Sequence, residues 1–329
     1  MEDRRAMTDF DVLTRRFRPE LLAHCYRMLG SADEAEDLVQ ETLLRAWRSY
    51  DAFEGRSSVR TWLYRIATNV CLTALERRSR RPLPSGLGAP ASDADVPMTP
   101  TAEVPWLQPL PDVMVASARD DPAAIAAARA GVRLAFVAAL QYLSARQRAT
   151  LILRDVLDWP AADVAELLGT TTTAVNSGLR RARAQLAHVM PAEDDLAEPD
   201  DAQRRALLTR YAEAIENADA RALAGLLRED VTLEMPPYPA WFAGRDAVIA
   251  FLESRLLTVP GALRLVPTTA NGQPAFAVYR RDQDGGQNVP HALMVLTLTS
   301  EGIASVVAFA EPGKYPPFRG DFAVAARSA

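Results

Sequence analysis

Two helical domains followed by an α+β domain is the architecture that the sequence predicts. Three observations predict it. Residues 8–81 and 122–191 carry dense apolar spacing at three- and four-residue steps, the period of amphipathic helices. Residues 82–121 between them are rich in Pro, Gly, Ser and Ala, which is linker composition. Beyond an acidic connector, Glu193 to Asp201, the chain starts helical and then turns to runs such as Ala275–Tyr279 and Leu293–Thr299, which read as strands. A chain of 329 residues is long enough for two or three separate cores.

Composition narrows the class. Hydrophobic residues make up 49% and charged residues 24%, as in an ordinary globular protein. No apolar run approaches the length of a membrane span, and the opening MEDRRAMTDF has no apolar stretch of the secretory type. A cytoplasmic chain without a membrane role is expected. Cys25 and Cys71 lie in helical patterns without metal-ligand spacing, so buried thiols are expected. His24, His188 and His291 do not cluster, and neither a metal site nor a cofactor is expected.

A net charge of −5 argues against a general nucleic-acid binder, so the distribution decides. Asp33, Glu34, Glu36, Asp37 and Glu41 form an acidic block with no basic residue among them. From Gly55 to Arg81, seven arginines face Glu76 alone, and Leu167–Met190 holds Arg180, Arg181 and Arg183 and no acid. Two separate basic surfaces are therefore expected.

In the first domain, Ser31 and Glu34 have capping-box spacing, and apolar residues then recur from Ala35 to Tyr50. A second helix is expected from Ser57 or Ser58, with Val59, Leu63, Ile66, Val70 and Ala74 as its apolar stripe and Arg60, Tyr64, Thr68, Asn69 and Arg77 away from it. Trp62 borders the stripe and is expected in the core. The loop Asp51–Arg56 between the helices carries an aromatic, a glycine and an arginine. In the second helical domain, Pro160 starts a helix, Val164, Leu167 and Leu168 face inward, and Gly169 can take the left-handed conformation that ends it. A threonine among Thr170–Thr172 caps the next helix, whose Val175, Leu179, Ala182, Leu186 and Val189 share a face. Ala165, Gly169 and Val175 then have the spacing of a helix-turn-helix, with arginines left outward where a major groove is read. Two ordinary amphipathic helices with a solvated basic face would share the periodicity but not the three-point spacing.

These segments resemble extracytoplasmic-function RNA polymerase sigma factors of the sigma-70 family. DEAEDLVQETLLRAW, Asp33–Trp47, looks like the region 2 helix that docks on the polymerase clamp. FEGRSSVRTWLYRIATNVCLTALERRSRR, Phe53–Arg81, resembles the loop and helix that open and read the −10 element. DVAELLGTTTTAVNSGLRRARAQL, Asp163–Leu186, resembles the region 4 helix-turn-helix that reads the −35 element. The resemblance implies a region 2 helical bundle over 8–81 and region 4 over 122–191. It implies that Phe53, Gly55, Arg56, Ser57, Asn69 and Arg77 meet −10 DNA. It assigns −35 DNA to Thr172, Asn176, Ser177, Arg180, Arg181 and Arg183. Core polymerase would bind through Asp37, Gln40, Glu41, Leu44 and Trp47. The partners implied are promoter DNA and core polymerase, through the clamp of the β′ subunit and the flap of the β subunit. An anti-sigma factor or a small ligand is left open. The chain departs from the family where Asn176 and Gly178 replace basic residues of the recognition helix. Asn suits adenine edges, and Gly178 weakens a helix by up to ~1 kcal/mol relative to Ala.

Residues 203–329 resemble the SnoaL-like domain, the α+β cone of polyketide cyclases and ketosteroid isomerases. The resemblance rests on YAEAIENADARALAGLLREDVTLEMPP, on WFAGRDAVIAFL and on NGQPA, Asn271–Ala275. VPWLQPLPD, Val104–Asp112, resembles a linker motif of the sigma factors that carry this domain. Trp106 and Leu107, large apolar residues among prolines, suggest that the linker docks. A sigma factor makes no bond, so no catalytic residue is expected. Its C-terminal domain would modulate promoter binding. The competing reading makes that domain a small-molecule sensor or a cyclase- or isomerase-like enzyme, with Asp230, Glu234 and His291 as its polar candidates. Asp230 is expected at a helix-to-strand junction, solvated.

Overall fold

The computed structural model describes residues 10–55, 57–76, 79–116, 131–189, 199–282 and 287–310. The chain divides into two compact units, one of residues 1–81 with 110–190, the other of 82–109 with 191–329. The stretch read as one linker, 82–121, is therefore shared. Its first 28 residues, 82 to 109, fold with the C-terminal domain. The one-turn helix Asp112–Val115 belongs to the first unit.

In the first unit, α1 (Arg18–Leu29) is buried almost all round, which makes it the central helix. Gly30 ends it with φ +70° and donates its N–H to Tyr26 O. Helix α2 (Ala32–Arg48) is capped by Ser31 Oγ, which accepts from Glu34 N–H at 3.3 Å. Helix α3 (Val59–Leu75) is capped by Ser58 Oγ, which accepts from Thr61 N–H at 3.0 Å. Its buried face corrects the expected stripe. Leu63, Tyr64, Ala67, Thr68, Val70 and Cys71 are buried, whereas Val59, Ile66 and Ala74 are only half-buried. Tyr64 and Thr68 enter because α1 offers polar partners. The Tyr64 hydroxyl donates toward Glu20, and Thr68 meets His24 Nε2 at 3.0 Å. Cys25 and Cys71 are free, buried thiols, and the adjacent Cys25 and burial push the Cys71 thiol up.

The same unit holds α4 (Asp112–Val115), α5 (Leu134–Leu140), α6 (Ala145–Leu151) with a π-turn over Ile152–Val156, α7 (Ala161–Leu167) and α8 (Thr172–Ala187). Ser144 and Gln147 form a reciprocal capping box at the start of α6. Two buried arginines tie this half to α1. Arg27 Nε donates to Gly131 O at 2.8 Å. Arg148, 4% exposed, donates to Met28 O, to Gln141 Oε1 at 2.9 Å and to Leu143 O at 3.2 Å. Desolvation holds both guanidiniums down at about 10.

In the second unit, α9 (Asp201–Glu216), α10 (Ala220–Ala224) and α11 (Arg245–Arg255) accompany one six-stranded sheet in the order β2-β1-β6-β5-β4-β3. The strands are β1 (Leu227–Glu234), β2 (Trp241–Ala243), β3 (Leu263–Ala270), β4 (Gln273–Arg281), β5 (Asn288–Thr299) and β6 (Gly302–Ala310). Only β1 and β6 pair in parallel; the other neighbours are antiparallel. Asn271 and Gly272, at φ +59° and +67°, make the two-residue turn between β3 and β4, which is why the NGQPA segment begins as it does. The core gathers Tyr211, Phe242, Phe251, Phe276 and Met294 between helices and sheet. Among the described residues, no helix is long and apolar enough to cross a membrane, and no group of three His, Cys, Asp or Glu could hold a metal.

The His24 environment sets a pH limit. Thr68 Oγ1 donates to Tyr64 O at 2.8 Å, so it accepts from His24 Nε2–H, and His24 Nδ1 is buried without a partner. Burial, with Arg27 nearby, pushes the imidazole down to about 3. A base depressed in the folded state contributes stability above its unfolded value, near 6.5, and loses it as pH falls below. From pH 7 to 5 the first unit should lose about 2 kcal/mol through His24. Urea unfolding at both pH values should show that loss largely abolished in His24→Gln; an unchanged pH dependence would refute the assignment.

Candidate nucleic-acid interface

The helix-turn-helix forms as its residues require. Pro160 is the N-cap of α7, and Gly169 takes φ +59°. Thr171 Oγ1 caps α8 by accepting from Ala174 N–H at 3.2 Å. Val164, Ala165 and Leu168 are buried against Val175, Leu179, Ala182 and Leu186, so the α8 face is as expected up to its end. Val189 departs from that face. It lies past the helix end and is 42% exposed. Thr172, Asn176, Arg180, Arg181 and Arg183 are exposed, and Ser177 is half-buried. Arg180 and Arg181 make no ion pair among the described residues. Arg183 is engaged: its guanidinium is bidentate on Asp155 of the π-turn, at 2.9 and 2.7 Å. An exposed pair of this kind is worth about 0–1 kcal/mol, so it orients Arg183 more than it holds α8.

On α3 and its preceding loop the candidates also lie together. Phe53 stacks on Trp62 with ring centroids 4.7 Å apart. Trp62 is half-buried and belongs to this aromatic surface with Tyr50, rather than to the core where it was expected. Gly55 is exposed at φ +70° with open space where a Cβ would stand. Ser57 is half-buried, and Asn69 is exposed on α3. Arg56 and Arg77 lie outside the described residues. Arg65, one turn before Asn69, is bidentate on Glu166 of α7 at 2.7 and 3.1 Å. One ion pair thus joins the helix expected to read −10 to the helix-turn-helix.

The outer face of α2 presents Asp37, Gln40 and Leu44, all exposed and spaced three and four residues apart. Leu44 is 52% exposed. Glu41 pairs with Arg45 at 2.6 Å, and Trp47 packs edge-on against Phe10. The acidic block is less free than its sequence suggests. Glu34 pairs with Arg81 and Glu36 with Arg18, basic residues from outside the block.

In the C-terminal unit the three polar candidates are not brought together as a catalytic group. Asp230 sits within β1, exposed and paired with Arg228, which holds its carboxyl below the usual range. The expected helix-to-strand junction is thus inside the strand. Burial pushes His291, on β5, down, with Arg280 adding to it. Glu234 ends β1 at 6% exposure. Burial pushes its carboxyl up, and hydrogen bonds from the Ser85 backbone and hydroxyl pull it back. Ser85 belongs to the linker: its N–H donates to Glu234 Oε2 at 2.8 Å. The linker continues over the domain. Trp241 Nε1 donates to Gly88 O at 2.9 Å, and Ala91 N–H donates to Trp241 O at 2.7 Å. Arg255 reaches Asp95 O and Val96 O, and Thr101 N–H donates to Pro237 O. Trp106 and Leu107 are buried at 8% and 0% exposure, the indole donating to Thr101 O.

Comparison with known proteins decides the family. Sigma-70 region 2 matches residues 13–81, Sigma-70 region 4 matches 133–186, and the SnoaL-like domain matches 208–306. The chain is 51% identical to the ECF RNA polymerase sigma factor SigG of Mycobacterium tuberculosis over 312 residues, 94% of this chain and 83% of the relative. This chain is an extracytoplasmic-function RNA polymerase sigma factor. A second relative from that organism, the ECF RNA polymerase sigma factor SigJ, is 29% identical over 75% of this chain and 72% of its own length. The crystal structure of SigJ shares the fold, with a TM-score of 0.59 at 24% identity, over 94% of this chain and 98% of that one.

Sequence reasoning missed two pairings of this sigma factor that the structure makes: Arg65 with Glu166, and Ser85 with Glu234, the last of which stood out only as a polar candidate. Each pair joins positions 101 and 149 residues apart, and no local period signals such a meeting. Trp62 had a signal, since an aromatic bordering an apolar stripe next to Phe53 can pair outward. Gly178 bears on the stability of the recognition helix. A Cβ there would meet nothing within 4 Å. Gly178→Ala should stabilise the protein by about 0.5–1 kcal/mol through helix propensity alone. Chemical denaturation would show the gain, and a loss of stability would mean that the glycine serves the backbone.

Proposed function

We propose that α8 reads the −35 element through Asn176, Arg180 and Arg181, with Thr172 and Ser177 beside them and Arg183 on phosphate once it leaves Asp155. The loop and helix from Phe53 to Asn69 would hold an unstacked −10 base. Arg56 and Arg77 complete that assignment by resemblance. The observation that carries this reading is the pair of exposed guanidiniums, Arg180 and Arg181, which make no ion pair among the described residues, on the second helix of a well-formed helix-turn-helix. Phe53 over Trp62 offers the stacking platform that a flipped base needs, at a cost of a few kcal/mol for unstacking.

Core polymerase would bind the α2 face through its β′ clamp, with Leu44 as the apolar centre and Asp37, Gln40, Glu41 and Trp47 around it. Region 4 would meet the flap of the β subunit. An exposed leucine ringed by polar groups is the composition of a docking surface. The C-terminal domain would modulate the process through the linker, with Trp106 and Leu107 in the docked segment. The sensor and enzyme readings are not favoured, because Glu234 is occupied by the chain itself and Asp230 by Arg228.

With these roles, the described state would not span a promoter. The −10 and −35 elements are centred about 25 base pairs apart, roughly 85 Å at 3.4 Å each. Here their two readers share the Arg65–Glu166 ion pair at 2.7 Å. Promoter engagement would part them, and a bridge with a 67% exposed carboxylate costs little to break.

Two outcomes are expected. Leu44→Glu combined with Asp37→Lys should weaken binding to core polymerase by about tenfold or more, since a desolvated interface centre carries most of the energy. A fluorescence titration against core would measure it, with circular dichroism as the folding control; wild-type affinity would sink the surface. Arg181→Ala should flatten discrimination at one −35 position by about 1–3 kcal/mol. Transcription from a set of single-base −35 variants would reveal it. A uniform loss on all templates would instead assign Arg181 to phosphate.

A further inference from the structure

Glu234 is the one carboxylate among the buried residues described in either unit. It stands at the end of β1, paired in register with Trp241 of β2 and Val307 of β6. In an enzyme of this fold a buried acid facing a cavity could serve as a base. Here it has another partner. The Ser85 N–H donates to its Oε2 at 2.8 Å, and the nearby Ser85 hydroxyl also favours the ionised carboxylate. Pro82, Leu83 and Pro84, which precede Ser85, are buried, so the segment enters the domain as a seated chain.

We propose that Glu234 is the latch of the linker. The buried carboxylate accepts the Ser85 N–H and thereby fixes residues 82–109 on the C-terminal domain. The inference deepens the regulatory reading above and rests on it only for its effect on transcription.

Three observations carry the latch. The first is energetic. A buried carboxylate is costly unless donors compensate it, and both donors named here come from the linker. Undocking would leave Glu234 either stripped of these donors or hydrated, so docking and the state of Glu234 are coupled. The second is continuity. Beyond Ser85 the linker follows the edge of the sheet, where β2 is the terminal strand. Ala91 N–H occupies the Trp241 carbonyl of that edge, and Gly88 O takes the indole N–H. An edge strand needs such cover, and the linker supplies it. Ala91, Ala94, Val96 and Met98 pack against the domain core. The third is reach. The 28 residues from 82 to 109 could extend to roughly 90–100 Å when free. Seated on the domain they cannot, so the latch governs how far apart the regions on either side of the linker can move.

The test uses the full chain and two variants of similar volume. Glu234→Gln keeps an oxygen acceptor for Ser85, whereas Glu234→Leu removes the acceptor but fills the site, and loss of a buried charge should not unfold the domain. Amide hydrogen exchange is read at Ser85, Ala91 and Thr101, with Leu296 and Val306 in the central strands as folding controls. Glu234→Leu should speed exchange at Ser85 and Ala91 about tenfold or more, while the controls stay protected and Glu234→Gln remains near wild type. Wild-type protection of Ser85 in Glu234→Leu, or equal loss in both variants, would overturn the latch. Transcription with core polymerase from a cognate promoter is measured on the same proteins. Faster exchange with altered transcription in Glu234→Leu supports both latch and regulation. Faster exchange with unaltered transcription keeps the latch and removes the regulatory reading.

Discussion

The first unit depends on the Arg148 guanidinium. It is buried, and it donates to Met28 O at the end of α1, to Gln141 Oε1 and to Leu143 O. Region 2 and the region 4 half therefore meet around a cation whose two terminal nitrogens donate to neutral oxygens, while its Nε is buried without a partner among the described residues. Desolvation lowers its pKa to about 10, yet it stays charged at neutral pH. A lysine could not replace it, because a single ammonium cannot reach three acceptors in the plane of a guanidinium fork. Removing the side chain would strand Met28 O and Gln141 in the interior, and buried polar atoms without partners are costly. Leu140, Ala149 and Leu151 on the same helices are buried, and Arg148 adds directed contacts that apolar burial alone does not give.

The C-terminal unit solves a different problem. A six-stranded mixed sheet leaves two edges, and one of them is the three-residue strand β2. The linker lies along that edge and uses its polar groups. Inside, the core is apolar and well filled. Tyr211 is fully buried and its hydroxyl rests on the Met294 sulfur at 3.3 Å. Burial pushes that phenol above its ordinary range. Its neighbours Phe276 and Met294 offer it no acid or base to exchange a proton with. The fold is one that elsewhere hosts enzymes, but fold alone does not assign chemistry.

Local features of both units were legible in the sequence, because local chemistry determines them. Ser31 and Ser58 cap their helices and Gly169 takes the left-handed turn, each from residues a few positions apart, whereas the hairpin at Asn271–Gly272 showed in the sequence only as part of the NGQPA motif. The face of α3 was harder to read. Its apolar period suggested Val59, Ile66 and Ala74, but α1 presents His24 and Glu20, which draw Thr68 and Tyr64 inward. A polar partner from a distant helix overrides hydrophobic periodicity, and a single sequence does not display the partner. Val189 misled in the opposite sense: it keeps the period but falls beyond the end of α8. The acidic block looked unpartnered because Arg18 and Arg81 lie outside it. At the candidate sites the outward positions of Asn176, Arg180 and Arg181 followed from period alone. The engagement of Arg183 by Asp155 and of Glu234 by Ser85 did not.

The restraints on the chain differ in strength, and the difference orders the steps by which it could open. The Arg65–Glu166 pair has a mostly exposed carboxylate, so water replaces either partner at small cost. The Arg80 guanidinium over the Tyr142 ring, 4.8 Å from its centroid, is of the same exposed kind. Arg148 is the opposite case. Its acceptors are buried, and withdrawing it exposes Met28 O and a charged fork together. Separation of region 2 from region 4 therefore costs little at the Arg65–Glu166 pair and much at Arg148. A surface that pays such a cost must bring comparable binding energy. Opening of the first unit would therefore yield first at the exposed Arg65–Glu166 pair and last at the buried Arg148.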